Sequence, residues 1–194
     1  MRRVIYGMMV SLDGFVATPD GDLDWVLIDE ELHKYVNDQE TAVDTWLYGR
    51  RMYQLMADFW PTADEDPSAP EYIVEFARIW KKMPKVVFSK TLDRVEWNAR
   101  LAKGDVAEEM AGLQAQPGKD LEVGGAELAS ELMRLGLIDE YWLYVQPVML
   151  GAGKRMFPEL QDRINLQLVE TRTFRSGVVL LRYERADPGE GEAV

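Results

Sequence analysis

The chain has 194 residues, 47% of them apolar, with six Trp and eight Tyr, which is ample material for one well-filled core. Its formal net charge of −12 repels phosphate backbones over the surface as a whole, and no local basic patch interrupts that field, so no nucleic-acid partner is expected. Cysteine is absent and His33 is the single histidine, which excludes thiolate catalysis, disulfides, Cys-ligated metals and multi-histidine sites and points to an intracellular protein without a metal centre.

Arg2 and Arg3 precede an apolar run too short for a signal h-region and soon followed by Asp13, so secretion is not expected. Charged residues break every window that approaches the roughly 20 apolar residues of a membrane helix. A soluble cytoplasmic protein follows.

Val4 to Val10 is a continuous apolar run, the pattern of a strand buried on both faces. Asp13-Gly14 and Pro19-Asp20-Gly21 then read as turns. Leu32, Tyr35 and Val36 recur at helical spacing among charges between Asp29 and Thr41, a helix expected to leave His33 exposed. Thr45 to Tyr48 forms a short strand running into Gly49, and Arg50 to Met56 a short helix. Ala57 to Pro70, rich in Pro and Asp, reads as a surface excursion.

Glu71 to Met83 has the spacing of another amphipathic helix, stopped by Pro84, with a buried strand from Lys85 to Phe88. A strand over Val95 to Leu101, a helix over Asp105 to Leu113 and a strand over Leu121 to Val123 come next. Gly124-Gly125 opens a helix that ends near Leu135-Gly136. Tyr141 to Val148, Leu166 to Phe174 and Val178 to Tyr183 are strands with no long helix between them, the last two joined at Arg175-Ser176-Gly177. The alternation of strands and helices, followed by strands alone, predicts an α/β fold: a mixed, mainly parallel central sheet with helices on both faces and an antiparallel C-terminal hairpin. One domain over 1–185 and a disordered Gly- and Glu-rich tail over 186–194 complete the expectation.

In an open α/β sheet, ligands bind outside the carboxyl ends of the strands. Gly49-Arg50-Arg51, Ser89-Lys90-Thr91 and Gly124-Gly125 all fall at such ends. Gly124-Gly125 lets backbone N–H groups and a positive helix end approach a pyrophosphate, although such a pair also serves as a plain tight turn. Arg50 or Arg51, with Ser89, Lys90 and Thr91, offers cations and hydroxyls suited to a phosphomonoester such as the 2′-phosphate of NADPH. Asp13 is the ionisable side chain of the Ser11 to Ala17 segment, so it is a candidate for proton delivery or, through an Asx-type bond, for bracing the turn.

Ser11-Leu12-Asp13-Gly14-Phe15-Val16-Ala17, Gly49-Arg50-Arg51-Met52-Tyr53, Val87-Phe88-Ser89-Lys90-Thr91-Leu92, Val123-Gly124-Gly125-Ala126-Glu127-Leu128 and Pro147-Val148-Met149-Leu150-Gly151 follow one another in the order and rough spacing of the dihydrofolate reductase-like superfamily. Within it the chain most resembles the reductase domain of the bifunctional riboflavin-biosynthesis deaminase/reductase, over about Val4 to Arg185. The resemblance implies an NADPH-dependent reductase of three-layer fold. Ala17 would border the nicotinamide, Gly49 to Met52 the adenosine side, Ser89 to Thr91 the 2′-phosphate, and Val123 to Leu128, through Gly124 and Gly125, the pyrophosphate. Trp25, Trp60, Tyr144 and Gln146 would flank the organic substrate, or serve as packing.

The resemblance also implies hydride transfer to a C=N or C=O of a small pterin- or pyrimidine-like heterocycle. The deaminase domain with its zinc ligands is missing from this chain, so a stand-alone relative is expected. The residues alone leave open a nucleotide-binding protein without turnover, or a dimeric scaffold. The apolar C-terminal strands and Tyr141-Trp142-Leu143-Tyr144 expose enough hydrophobic edge to predict a homodimer.

Overall fold

The apolar run at the start becomes the central strand of the sheet because neighbours cover both of its faces and both of its edges. The computed structural model describes residues 1–186. β1 (Val4–Ser11) pairs in parallel with β6 (Asp120–Gly124) on one side and β7 (Glu140–Gln146) on the other. Beyond β6 lie β3 (Val43–Gly49), β4 (Lys85–Phe88) and β5 (Ala99–Leu101), each parallel to its neighbour. Beyond β7 the direction reverses at β10 (Val179–Arg185), and β9 (Leu166–Thr173) closes the eight-stranded order β5-β4-β3-β6-β1-β7-β10-β9. A separate pair joins β2 (Phe15–Ala17) to β8 (Lys154–Arg155).

Strand alternation divides the core into two layers. Val4, Tyr6, Val10, Leu121, Val123 and Tyr141 face α4 (Val106–Ala115) and α5 (Ala126–Arg134), whose Met110, Leu113, Ala129 and Leu132 close that side. Ile5, Trp46, Tyr48, Trp142 and Tyr144 face the other way. There Leu32 of α1 (Glu30–Gln39), Tyr53 of α2 (Arg50–Phe59), and Phe76 and Trp80 of α3 (Glu71–Lys82) cover them. The dihydrofolate reductase-like three-layer arrangement is therefore present, with helices on both faces and an antiparallel C-terminal hairpin.

Three local expectations change. The strand expected over Val95 to Leu101 is confined to Ala99–Leu101 because Trp97 and Asn98 have φ of 61° and 55°, a left-handed conformation incompatible with a strand. His33 is buried rather than exposed, at 7% accessibility, among the rings of Trp60, Tyr72 and Phe76. Its Nδ1 meets Asn37 Oδ1 at 3.0 Å, and Asn37 donates to Tyr72 O and Glu75, so a polar pair one turn apart joins α1 to α3. Ala186, placed at the start of the tail, donates its N–H to Asn165 O; the rest of the tail lies outside the described residues.

Candidate functional site

The middle of a central strand should be its most buried part, yet Gly7, Met8 and Met9 all keep accessible surface between buried ends. Met8 faces a cleft of about 910 Å³ at the carboxyl ends of β1, β3 and β6. Its floor is made by two helix starts. Gly49 caps α2 and Gly125 caps α5, neither with a side-chain hydrogen bond, so the first-turn N–H groups of both helices lack a capping side chain beside the same cleft. Each start also carries the positive end of a helix dipole, and together they favour an anion.

Gly124 and Gly125 are required for steric reasons that reinforce this geometry. A Cβ on Gly124 would lie 2.7 Å from the Tyr48 ring. Gly125 has φ +95°, and a Cβ there would lie 3.1 Å from Met52 Cβ. Met52 is thus the wedge that seats α2 against the Gly124-Gly125 turn, and it lines the cleft as well.

The opposite wall is formed by β2 and the segment after β7. Ala17 pairs with Lys154. Gly153 approaches so closely that a Cβ would lie 2.1 Å from Ala17 O. Lys154 Nζ and Arg51 Nη1 both donate to Glu127 Oε1, at 2.9 and 3.0 Å, and all three side chains border the cleft. Lys154 and Arg51 hold the Glu127 carboxyl below its usual range. Leu55, half exposed, adds an apolar patch.

The structure brings Ala17, Gly49, Arg51, Met52, Gly124, Gly125, Ala126, Glu127 and Leu128 to this one cleft. Other candidates lie elsewhere. Arg50 is exposed outside it, and Val123 is fully buried in the α4/α5 layer because odd-numbered positions of β6 face that way. Ser89, Lys90 and Thr91 follow β4, one strand farther out, where Ser89 Oγ accepts from the N–H groups of Thr91 and Leu92.

Trp60 caps α2 and packs on Phe76 at 4.4 Å between ring centroids, among the helices of the other face. Tyr144 and Gln146 also point to that face. Tyr144 is buried, and Gln146, fully buried, pins the loop before α1 by accepting from Leu27 N. Trp25 is half buried in the same loop, its Nε1 donating to Asp22 O. Asp13 is a brace: it accepts from Ser11 Oγ at 2.6 Å, Gly151 N at 2.7 Å and Leu150 N at 3.1 Å. Ser11 foremost, then those N–H groups, hold its carboxyl below the ordinary range, so near neutrality it has no proton to give.

Motif reasoning missed Met8, Gly153 and Lys154 in the cleft wall, and a carboxyl pair behind it. Glu122 of β6, paired with Ile5, reaches its side chain to Gly7, whose absent Cβ would be 3.2 Å from Glu122 Oε1. Glu40, accepting from Trp46 Nε1 at 2.8 Å, is its neighbour. Burial pushes the Glu122 carboxyl up to about 7. Burial, and secondarily the charge of Glu122, pushes Glu40 up as well. A Glu one position before a Val-Gly-Gly turn was a visible signal.

Two glycine-capped helix starts facing one cleft at the carboxyl edge of a mainly parallel sheet belong to an α/β protein of dihydrofolate reductase-like fold. The chain belongs to the RibD C-terminal domain family, whose model matches residues 2–180. It is 38% identical over 183 residues to the uncharacterized protein YyaP of Bacillus subtilis, covering 94% of each chain, and 30% identical to YwjB of the same organism, covering 95% of this chain and 99% of that one. Among solved structures, a putative riboflavin biosynthesis protein from Shewanella sp. PV-4 superposes with TM-score 0.76 at 23% identity, covering 96% of this chain and 99% of that one. A dihydrofolate reductase from Enterococcus faecalis complexed with NADP(H) gives 0.64 at 16%, with 95% and 97% covered. The deaminase/reductase of Thermotoga maritima gives 0.65 at 16%, with 95% of this chain but 57% of that one covered. Among the described residues no helix is long and apolar enough to cross a membrane.

Proposed function

We propose that the protein is a cytoplasmic, homodimeric, NADPH-dependent reductase acting on a small pterin- or pyrimidine-like heterocycle. The observation that carries this reading is the convergence of the Gly49 and Gly125 helix starts on one cleft, with Arg51 and Lys154 beside them. A dinucleotide brings the two features such a floor needs: a diphosphate for the N–H groups, and flat rings for the apolar walls. The NADP(H) complex of the structurally similar Enterococcus reductase supports that choice of cofactor.

Gly49, Arg51 and the first turn of α5 would hold the diphosphate, Ala17 and Met8 would border the nicotinamide, and the adenosine would extend toward Ser89, Lys90 and Thr91. When bound, the reduced nicotinamide supplies a hydride to an electron-poor C=N or C=O. The protein contributes alignment and exclusion of water. On the other face of the central strand Gly7, Met9 and Glu122 keep accessible surface, and the heterocycle would lie there. With its carboxyl pushed up to about 7, Glu122 keeps its proton in part of the population near neutrality and would offer a donor to a ring nitrogen or carbonyl.

The test is to mix protein and NADPH with pterins, pyrimidines, flavin precursors and quinones, and to follow loss of reduced-nicotinamide absorbance. Turnover with a heterocycle supports the proposal. Tight NADPH binding with no turnover across the panel favours a nucleotide-binding protein instead.

A further inference from the structure

Glu127 occupies an unexpected place for a carboxylate. It lies in the first turn of α5, where an anion is stabilised by the helix end, and therefore where an incoming phosphate would also be stabilised. Its single oxygen Oε1 takes both a guanidinium N–H from α2, Arg51, and the ammonium of Lys154 from β8. Three elements that surround the cleft are thereby tied at its mouth by one carboxylate.

These contacts are exposed enough to exchange: the side chains of Arg51, Glu127 and Lys154 are 71%, 60% and 37% accessible. Ion pairs of that exposure contribute little to stability. Their geometry instead determines which anion holds the cations.

We propose that Glu127 is a built-in competitor for the phosphate groups that enter this cleft, holding Arg51 and Lys154 in the nucleotide-free protein and releasing them to the ligand. The inference rests on the reading of the cleft as a dinucleotide site and adds how its affinity is set. Two cations against one carboxylate leave the mouth one positive charge in excess, so a diphosphate is still attracted, but less than it would be by free cations. Glu127 also repels each bound phosphate directly. At a separation of about 4 Å in water that repulsion is worth a factor of about five in affinity, and salt screens it. The consequence for a turning-over enzyme is easier release of the oxidised cofactor, which carries the same phosphates.

The test compares wild type with Glu127→Gln and with Glu131→Gln, a second exposed carboxylate of α5 one turn farther from the cleft. Dissociation constants for NADPH and for inorganic pyrophosphate are measured by calorimetry at low and high salt. Glu127→Gln should bind both ligands about five times more tightly than wild type at low salt, with the gap closing at high salt, while Glu131→Gln changes by less than twofold. Equal or weaker binding by Glu127→Gln overturns the competitor role, as does an equal gain from Glu131→Gln. If Glu127→Gln does not fold, Glu127→Asp, too short to reach both cations, must show a smaller gain in the same direction, and no gain counts against the proposal. Wild-type protein that binds neither ligand overturns the dinucleotide site itself, a result distinct from the failure of Glu127 alone.

Discussion

Gly153 passes over Ala17 at a distance that no side chain permits, since a Cβ would stand 2.1 Å from the Ala17 carbonyl oxygen. This contact seats β8 on β2 and places Lys154 at the cleft mouth. Gly153→Ala should therefore cost about 1–3 kcal/mol, as overpacking does, and weaken NADPH binding. Gly151→Ala is the matched control. Its φ is +74° and a Cβ there meets nothing within 4 Å, so it should cost only the left-handed strain, about 1–2 kcal/mol, and leave binding intact. Urea denaturation paired with NADPH titration separates the two outcomes, and equal binding losses would remove the β2–β8 contact from the site.

Arg51 lines the cleft whereas Arg50 does not. Arg51→Ala should weaken NADPH binding about tenfold, the scale of a lost charge-assisted hydrogen bond to phosphate, and Arg50→Ala by less than threefold. Wild type should prefer NADPH to NADH. Equal affinities for the two would place the 2′-phosphate away from any cation of this chain.

Much of this was legible in the sequence where a local signal and the tertiary role coincide. The apolar run of β1 and the Val123-Gly124-Gly125 turn are such cases, because a strand buried on both faces and a glycine with positive φ are both written in residue type. Trp60, Tyr144 and Gln146 illustrate the opposite. Which face a strand residue addresses depends on its parity relative to neighbouring strands, and the aromatic cluster around Trp60 depends on α3, which is remote in sequence. His33 looked exposed because its helix is highly charged; the matching surface on α3 decided otherwise. Lys154 belongs to a two-residue strand that exists only through pairing with β2, so no periodicity marks it.

The carboxyl pair of buried Glu40 and half-buried Glu122 predicts a pH dependence of stability. Glu122 is raised from its ordinary value of 4.5 to about 7 in the folded chain, and Glu40 is raised too. Between those values the folded state keeps protons that the unfolded state releases, so stability is fully present below pH 4.5 and falls as pH rises through about 7. Glu122→Gln should flatten this slope in urea denaturation from pH 5 to pH 8. An unchanged slope would show that the pair does not titrate in this range.

His33 contributes with the opposite sign. Burial lowers its pKa from 6.5, so the unfolded state takes up a proton first and stability falls on acidification below that value. His33→Gln should remove this acid-side loss while lowering overall stability by the lost packing between α1 and α3. Retention of the acid-side slope in the variant would assign it to other groups.

The hydrophobic edge expected at Tyr141-Trp142-Leu143-Tyr144 is not there, because β7 lies inside the sheet between β1 and β10 with Tyr141, Trp142 and Tyr144 buried; the free edge is β9, which exposes nearly all of its residues, including Leu166, Leu168 and Val169 at 39%, 49% and 49%. An apolar edge of this kind invites a partner. Light scattering should give about twice the 22.2 kDa of one chain, and Leu168→Lys should restore the single-chain mass. A monomer for the unmodified protein would end the dimer proposal.

The central claim is that one cleft, floored by the starts of α2 and α5, binds NADPH. A crystal structure of the protein grown with NADPH tests it most directly. The account predicts the diphosphate between Gly49 and Gly125, accepting hydrogen bonds from first-turn N–H groups of both helices, with the nicotinamide beside Ala17. A dinucleotide bound elsewhere, or a cleft that stays empty at saturating NADPH, would contradict it.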